Sequence, residues 1–313
     1  MAFLTIFTAP KPFTDPFIAT LQYNAIESWT HLGPEVEVIV IGDEPGIAEA
    51  TQELGVRHLP DVACNEMGTP LVSSIFELAR KNSDSPVLVY VNADILFMPD
   101  VIEAARQVAE QAGKYLIVGQ RWDLEVTERL DFSAGWVERL HERTARDGKL
   151  HPRGGSDYFI FPRACFEDMP AFAIGRAGWD NWMFYEARRQ GWALIDATPA
   201  IQIVHQNHDY RHLPQGQPHY RLPETKENIR LAGGKRAIFN LVDADRTLVD
   251  GKVQRMRWDG EKFWREVEIF PLVKLRSYGL GQVFYAIFHP VKASKEFKAW
   301  LVRKLKGSQD NEE

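Results

Sequence analysis

Residues 86–100 read PVLVYVNADILFMPD. Val87, Leu88, Val89, Tyr90 and Val91 form an unbroken apolar run rich in β-branched residues, the pattern of a strand buried on both faces. Asn92 and Asp94 interrupt the run, and Ile95, Leu96 and Phe97 resume it. An amide and a carboxylate two residues apart, at the end of the most hydrophobic strand, need a reason beyond solubility. One reason is that they cap a turn. The other is that they face a ligand.

The surroundings of this stretch decide how it is read. Upstream, the pattern predicts a strand over Ala2 to Phe7, a proline-rich loop TAPKPFTDP and a helix from Phe17 to Trp29. A second strand follows at Val36 to Ile41, then a helix at Ile47 to Leu54, a short strand at Val56 to Leu59 and a helix at Leu71 to Lys81. Strands alternating with helices indicate βαβ units and an α/β fold built on a mostly parallel sheet flanked by helices. In such sheets the ligand crevice lies beyond the carboxyl ends of the strands. Thr8 to Lys11, Gly42 to Glu44, Asn65 to Thr69 and Asn92 to Asp94 are the segments placed there.

Downstream, Val101 to Gln111 reads as a helix and KYLIVGQRWD as one strand. Residues 124–150 are charged and irregular, with an amphipathic piece near Val137 to Arg143. GGSDYFIFPRACF starts a further strand, a helix is expected from about Asp180 to Arg189, and strands at Ala193 to Ile195 and Ile201 to Val204 run into HQNHDY. The composition shifts near Arg221, which divides the chain into a domain over 1–220 and an extension over 221–313. The extension begins with a strand pair around the turn VDGK and ends in a basic helical tail.

Bulk composition narrows the function classes. With 313 residues, 45% hydrophobic and 26% charged, the chain can bury a sizeable core. Its net charge of −6 argues against a nucleic-acid footprint. Cys64 and Cys165 are too few and too far apart for a disulfide framework or a zinc site, which fits free thiols in a reducing cytoplasm. The N-terminus lacks a basic region, and Pro10 ends its short apolar run, so no signal peptide is expected.

Four groups of residues carry chemistry. Asp94, at a strand end, can offer a carboxylate oxygen to a hard divalent cation such as Mg²⁺ or Mn²⁺. HQNHDY offers His205 and His208, and manganese accepts mixed nitrogen and oxygen ligands. Asp180, between Trp179 and Asn181 at a helix start, reads equally as an N-cap and as a general base, with Trp179 a face for a sugar ring. Asp157, just beyond Gly154 and Gly155, and Asp43, before Pro45, are weaker carboxylate candidates for ligand contact.

Taken in order and spacing, NEMGTPLVSSIFELA, VYVNADILF, GGSDYFIFPR, GRAGWDNW and IDATPAIQIVHQNHDY resemble the motifs of GT-A-fold glycosyltransferases, in particular bacterial family 2-like enzymes, over residues 3–210. The resemblance implies a nucleotide-sugar donor, a Mn²⁺ or Mg²⁺ cofactor and a carbohydrate or lipid-linked acceptor, as in polysaccharide or glycolipid assembly. It places Asp94 at the metal-binding second Asp of a D-x-D motif. Asn92 takes the first position, where an amide can bond a ribose hydroxyl but brings no charge. His205, with His208 second, matches a histidine that ligates the metal after the last core strand. Asp180 matches the base of inverting members, and Asp157 and Trp179 are placed at the acceptor. Thr8 and Asp43 match strand ends that hold the nucleobase, with Lys11 and Gly68 looser matches on the donor side. A sugar-phosphate nucleotidyltransferase is the alternative, although TAPKPFTDP is unlike the basic glycine-rich loop that chemistry wants. A non-catalytic nucleotide- or carbohydrate-binding protein is the other, and Asn92 keeps it open.

In the tail, KASKEFKAWLVRKLKG sets Lys295, Lys298, Arg303, Lys304 and Lys306, with Lys292 just before, against a lone Glu296. Phe297, Trp300, Leu301 and Leu305 fall on one helical face. Such a helix suits peripheral contact with an anionic membrane surface. The alternative is packing on its own domain or on a homodimer partner.

Overall fold

The computed structural model describes residues 1–154, 156–208 and 222–309, with side chains through Leu301. Asp209 and Tyr210 of HQNHDY, Gly155 of the glycine pair, and the side chains of Arg303, Lys304, Leu305 and Lys306 lie outside the described residues. The first half follows the anticipated alternation: β1 (Leu4–Thr8), α1 (Pro16–Thr30), β2 (Val36–Ile41), α2 (Ile47–Leu54), β3 (Arg57–Leu59), α3 (Val72–Lys81) and β4 (Val87–Val91). Local chemistry sets the boundaries. Asp15 Oδ1 accepts from the Phe17 and Ile18 amides at 2.8 and 3.2 Å, and Pro16 occupies the first helical turn, where its missing N–H costs nothing. The helix α2 stops at Gly55, whose φ of +65° reverses the chain.

The chain continues through β5 (Ile95–Leu96), α4 (Asp100–Gln111), β6 (Tyr115–Val118), β7 (Arg121–Leu124), α5 (Trp136–Asp147), β8 (Lys149–Leu150), β9 (Tyr158–Pro162) and α6 (Trp179–Gln190). After these come β10 (Ala193–Asp196), β11 (Ile203–Gln206), α7 (Pro223–Leu231), β12 (Arg246–Val249) and β13 (Lys252–Arg255). Nine strands form one sheet in the order β13-β12-β10-β6-β9-β4-β1-β2-β3. All neighbours are parallel except β9 against β4 and β6, and β13 against β12. This is the mostly parallel α/β sheet that the apolar strands predicted. Leu4, Ile6, Val38, Val40, Val87, Val89, Val91 and Ile160 are buried in one core cluster with residues of α1 and α4, and the alternate positions Phe7, Ile39, Leu88 and Tyr90 are buried too, so the sheet is covered on both faces.

Two features differ from the sequence-based expectation. KYLIVGQRWD is not one strand. It breaks at Gly119, and β7 joins a separate four-stranded sheet in the order β5-β11-β7-β8. A Cβ at Gly119 would lie 2.5 Å from Tyr158 Oη, so only glycine lets the chain pass there from one sheet to the other. The apolar run Tyr115 to Val118 ends at the glycine and the polar residues beyond it belong to the next strand, and Leu96, Leu124 and Val204 build a small core of their own beneath the second sheet. The hairpin around VDGK also does not lead a separate extension. Its strand β12 pairs in parallel with β10 and extends the large sheet. Accordingly, one compact unit spans Met1–Arg188 and Trp192–Met256. The second unit comprises Arg189–Gly191 and the chain from Arg257 onward, and contains the helices α8 (Gly260–Val273), α9 (Tyr278–Phe288) and α10 (Pro290–Gln309).

Candidate active site

The second sheet explains how distant segments meet. β11 pairs antiparallel with β5, the two residues that follow Asp94 by one, placing His205 opposite Ile95. The Gln206 amide donates to the Asp94 carbonyl at 3.1 Å, and the buried Gln206 side chain ties the same strand to α1 through Asn24 and the Leu21 carbonyl. On its other side β11 runs parallel to β7, with His205 in register with Asp123. One strand thus carries its histidine between two carboxylates that lie far away in sequence.

Asp94 Oδ2 is 2.9 Å from His208 Nε2 and 3.9 Å from His205 Nε2. One ligand atom from each of Asp94, His205 and His208 lies within 4.8 Å of the others. Asp94 Oδ1 is buried and makes no hydrogen bond among the described residues. A buried carboxylate oxygen left without a donor is costly unless something else neutralises it. Burial pushes the Asp94 carboxyl up, but the His208 hydrogen bond and the charges of His205 and Lys11 outweigh it and hold the group well below the usual carboxylate range. Burial lowers the His205 pKa against the pull of Asp94, favouring the neutral imidazole that can ligate. An ionised carboxylate with an orphaned oxygen and two imidazoles within reach of one point is a donor set that fits Mn²⁺ or Mg²⁺.

Lys11 joins the same group. Gln22 grips its backbone, accepting from the Lys11 amide at 2.7 Å and donating to its carbonyl at 2.9 Å. Its Nζ comes within 3.5 Å of His208 Nε2, and burial lowers its pKa while Asp94 opposes that shift.

Asn92 has a structural explanation that the sequence hid. Its Nδ2 donates to Asp157 Oδ1 at 3.0 Å, its backbone amide donates to the Asp157 carbonyl at 2.9 Å, and its Oδ1 accepts from Tyr90 Oη at 3.3 Å. Asp157 also receives both its oxygens' bonds from Arg121 Nη1 at 2.8 Å. An acidic residue in place of Asn92 would face Asp157 directly. Asn92→Asp is therefore expected to destabilise the fold by about 1–3 kcal/mol at pH 7. The loss should shrink as the pH is lowered and the introduced carboxyl takes a proton, which urea unfolding at pH 5 and pH 7 measures. Equal stability of the two proteins at both pH values would refute this account.

Arg121, Asp123 and His151 are functional candidates that sequence reasoning passed over. Arg121 Nε donates to Asp123 Oδ1 at 2.9 Å, Asp123 Oδ2 lies 2.7 Å from His151 Nδ1, and Asp123 Oδ1 is 3.4 Å from His205 Nδ1. Burial raises the Asp123 pKa, but the His151 bond and the Arg121 charge bring it below the usual value. The available signal was the one-residue spacing of Arg121 and Asp123, which puts both on one face of a strand. It went unread because the segment was merged with the strand before it.

A cavity of about 840 Å³ collects these groups. Lys11, Gly68, Asn92, Asp94, Arg121, Asp123, His151, Asp157, Trp179, Asp180, His205 and His208 all line it. Asp180 sits in the first turn of α6, its Oδ1 accepting from the Gly178 amide at 3.2 Å, and burial raises its pKa against the backbone bonds that lower it. Trp179 lines the cavity but is only 6% exposed, packed edge-on against Tyr90 with centroids 5.0 Å apart. Gly68, at φ +77°, turns a loop held by Asn65, whose Oδ1 accepts from the Met67 and Thr69 amides and whose Nδ2 reaches Glu224 at 2.7 Å. Two expected donor-side residues are placed differently. Thr8 is fully buried at the end of β1 and is not in the cavity wall, and Asp43 is exposed while its neighbours Gly42 and Glu44 line the cavity. Thr8 is the last residue of β1 and packs inward, whereas Asp43 lies beyond β2 in the turn before α2 and faces solvent.

No protein-family model matches the chain, and no curated protein matches it. Among solved structures, the chain is similar to glucosyl-3-phosphoglycerate synthase from Mycobacterium tuberculosis in complex with Mg²⁺ and uridine-diphosphate. The TM-score is 0.47 at 14% identity, over 82% of this chain and 87% of that one. It is also similar to the mannosyltransferase PcManGT from Pyrobaculum calidifontis in complex with GDP-Man and Mn²⁺. There the TM-score is 0.41 at 13% identity, over 64% of this chain and 56% of that one. At this level of likeness, the roles of individual residues rest on this chain's own geometry.

Proposed function

We propose that the chain is a GT-A-fold glycosyltransferase that moves a sugar from a nucleotide-diphosphate sugar to an acceptor hydroxyl with inversion. The observation that carries this reading is the convergence of Asp94, His205 and His208 in one cavity with Asp180, a carboxyl whose pKa is raised by burial. The cavity volume lies in the range of small-molecule sites, roughly 300–1,000 Å³.

Asp94, His205 and His208 would hold Mn²⁺ or Mg²⁺. When bound, the cation supplies positive charge against a diphosphate leaving group. Lys11 adds a second positive centre on the same side, its backbone fixed by Gln22. Asn92, pinned between Tyr90 and Asp157, presents its amide at the cavity wall for a ribose hydroxyl. Gly42 and Glu44, rather than Thr8 and Asp43, are the residues at the strand end available to a nucleobase. Asp180 removes the proton from the acceptor hydroxyl as that oxygen attacks the anomeric carbon, and its raised pKa makes it a stronger base than an exposed carboxylate. Asp157 is committed to Arg121 and Asn92, so we assign it to holding the wall, and Trp179 and Asp180 to the acceptor side. The reading places the protein in the cytoplasm, where free thiols such as Cys64 and Cys165 persist.

A thermal-shift screen with UDP-, GDP- and dTDP-sugars, each with and without Mn²⁺, tests the proposal. Stabilisation by one nucleotide that depends on the cation is expected, on the order of 3 kcal/mol at a hundred-fold excess over Kd. A folded protein with no response to any nucleotide under any cation would end the catalytic reading. Turnover of a nucleoside triphosphate with a sugar phosphate would replace it with nucleotidyl transfer.

A further inference from the structure

The helices α8, α9 and α10 display apolar side chains on their surface. Thirteen of the seventeen exposed large hydrophobic residues among the described residues fall between Trp258 and Leu301, so this exposure is concentrated and not scattered. On α9, which has no charged residue, Val283 and Ile287 lie one turn apart and are 53% and 66% exposed. On α10, Phe297, Trp300 and Leu301 share a face at 59%, 49% and 38% exposure. Lys292, Lys295 and Lys298 occupy the remaining circumference and are exposed.

Charge is segregated in the same place. Residues 274–309 contain eight Lys and Arg and one Glu, a net +7, which leaves 29 basic and 42 acidic residues, a net −13, on the rest of the chain. Among the described residues no helix is long and apolar enough to cross a membrane. The 11 residues of α9 extend only about 16 Å, half of a bilayer's hydrocarbon thickness.

We infer that α9 and α10 form a docking face for the surface of a bilayer bearing anionic headgroups. Apolar and aromatic side chains enter the interface while the lysines meet the phosphates and carboxylates. A second copy of the chain is the less suitable occupant. A two-fold contact through this face would set each +7 segment against its twin, where like charges repel. An anionic surface meets both properties of the face. The inference does not depend on the catalytic reading, since lipid binding is measured without donor or acceptor.

The test is flotation of the full chain with vesicles of phosphatidylcholine alone and of phosphatidylcholine with phosphatidylserine. Binding to the anionic vesicles only is expected, and it should weaken when NaCl is raised from about 0.1 M to about 0.5 M. The triple change Lys292→Gln, Lys295→Gln, Lys298→Gln should weaken binding roughly a hundred-fold, at about five-fold per charge. The pair Ile287→Ser and Trp300→Ser should weaken it at unchanged charge. All five side chains are exposed, so far-UV circular dichroism should show both variants folded. Absence of binding, equal binding to neutral and anionic vesicles, or a dimer in sedimentation velocity that Ile287→Ser and Trp300→Ser dissolve would each overturn the inference.

Discussion

Asp94→Ala is expected to abolish cation-dependent stabilisation by the nucleotide and to lower transfer by about a thousand-fold or more. Asp94 brings the one carboxylate of the three converging ligands, and its Oδ1 has no hydrogen-bond donor among the described residues. Removing it leaves two imidazoles, which give a divalent cation no charge compensation. Apo stability should change far less, by about 1–3 kcal/mol, because the main loss is the acceptor of the His208 bond. Asp94→Asn keeps a bonding partner for His208 but not the charge, and should share the loss of cation response. Isothermal titration of Mn²⁺ with nucleoside diphosphate, alongside thermal unfolding of the apo protein, separates these effects. Cation-linked nucleotide binding that survives Asp94→Ala would remove Asp94 from the site.

Asp180→Asn should have a different signature. Donor binding and its dependence on Mn²⁺ should stay at the wild-type level, while kcat falls by about 10²–10⁴-fold. Burial raises the Asp180 pKa, so the acid limb of the wild-type kcat profile should lie above the ordinary carboxylate value of about 3.9. In the variant that limb should vanish from the residual activity. Stability should move the other way. The folded protein holds the Asp180 proton more tightly than the unfolded chain does. The associated stability is therefore complete below the unfolded pKa and is lost as pH rises through the folded one. At neutral pH the ionised group is a cost, so Asp180→Asn should be at least as stable as wild type, with Oδ1 still able to accept from Gly178. Wild-type kcat in Asp180→Asn, or a product with retained anomeric configuration, would show that Asp180 is not the base.

Parts of this site were legible in the sequence because they depend on local pattern. The βαβ alternation put strand ends in a crevice, and Asp94 lies just past such an end and Asp180 at a helix start on the cavity wall, whereas His205 sits within β11 of the second sheet. Thr8 and Asp43 show the limit of that logic. A strand end can be located from an apolar run, but which of two adjacent side chains faces the cavity depends on the pleat and on the turn that follows. Arg121, Asp123 and His151 were missed for a related reason. Their importance comes from β7 leaving the large sheet beyond Gly119, where the Tyr158 hydroxyl, thirty-nine residues away, leaves no room for a side chain.

By itself the sequence determined the α/β class and the order of the first seven elements, and it singled out Asp94, His205 and His208 as candidates, since each follows from periodicity and side-chain chemistry within a short window. Only the tertiary structure decided that His205 stands between Asp94 and Asp123, because β11 pairs with β5 on one edge and β7 on the other. It also decided what PVLVYVNADILFMPD does with its amide. Asn92 donates to Asp157, which stands just before β9, the strand antiparallel to β4. Such pairings are set by sheet register between distant segments, where the energy of a contact depends on both partners and neither sequence window contains the other.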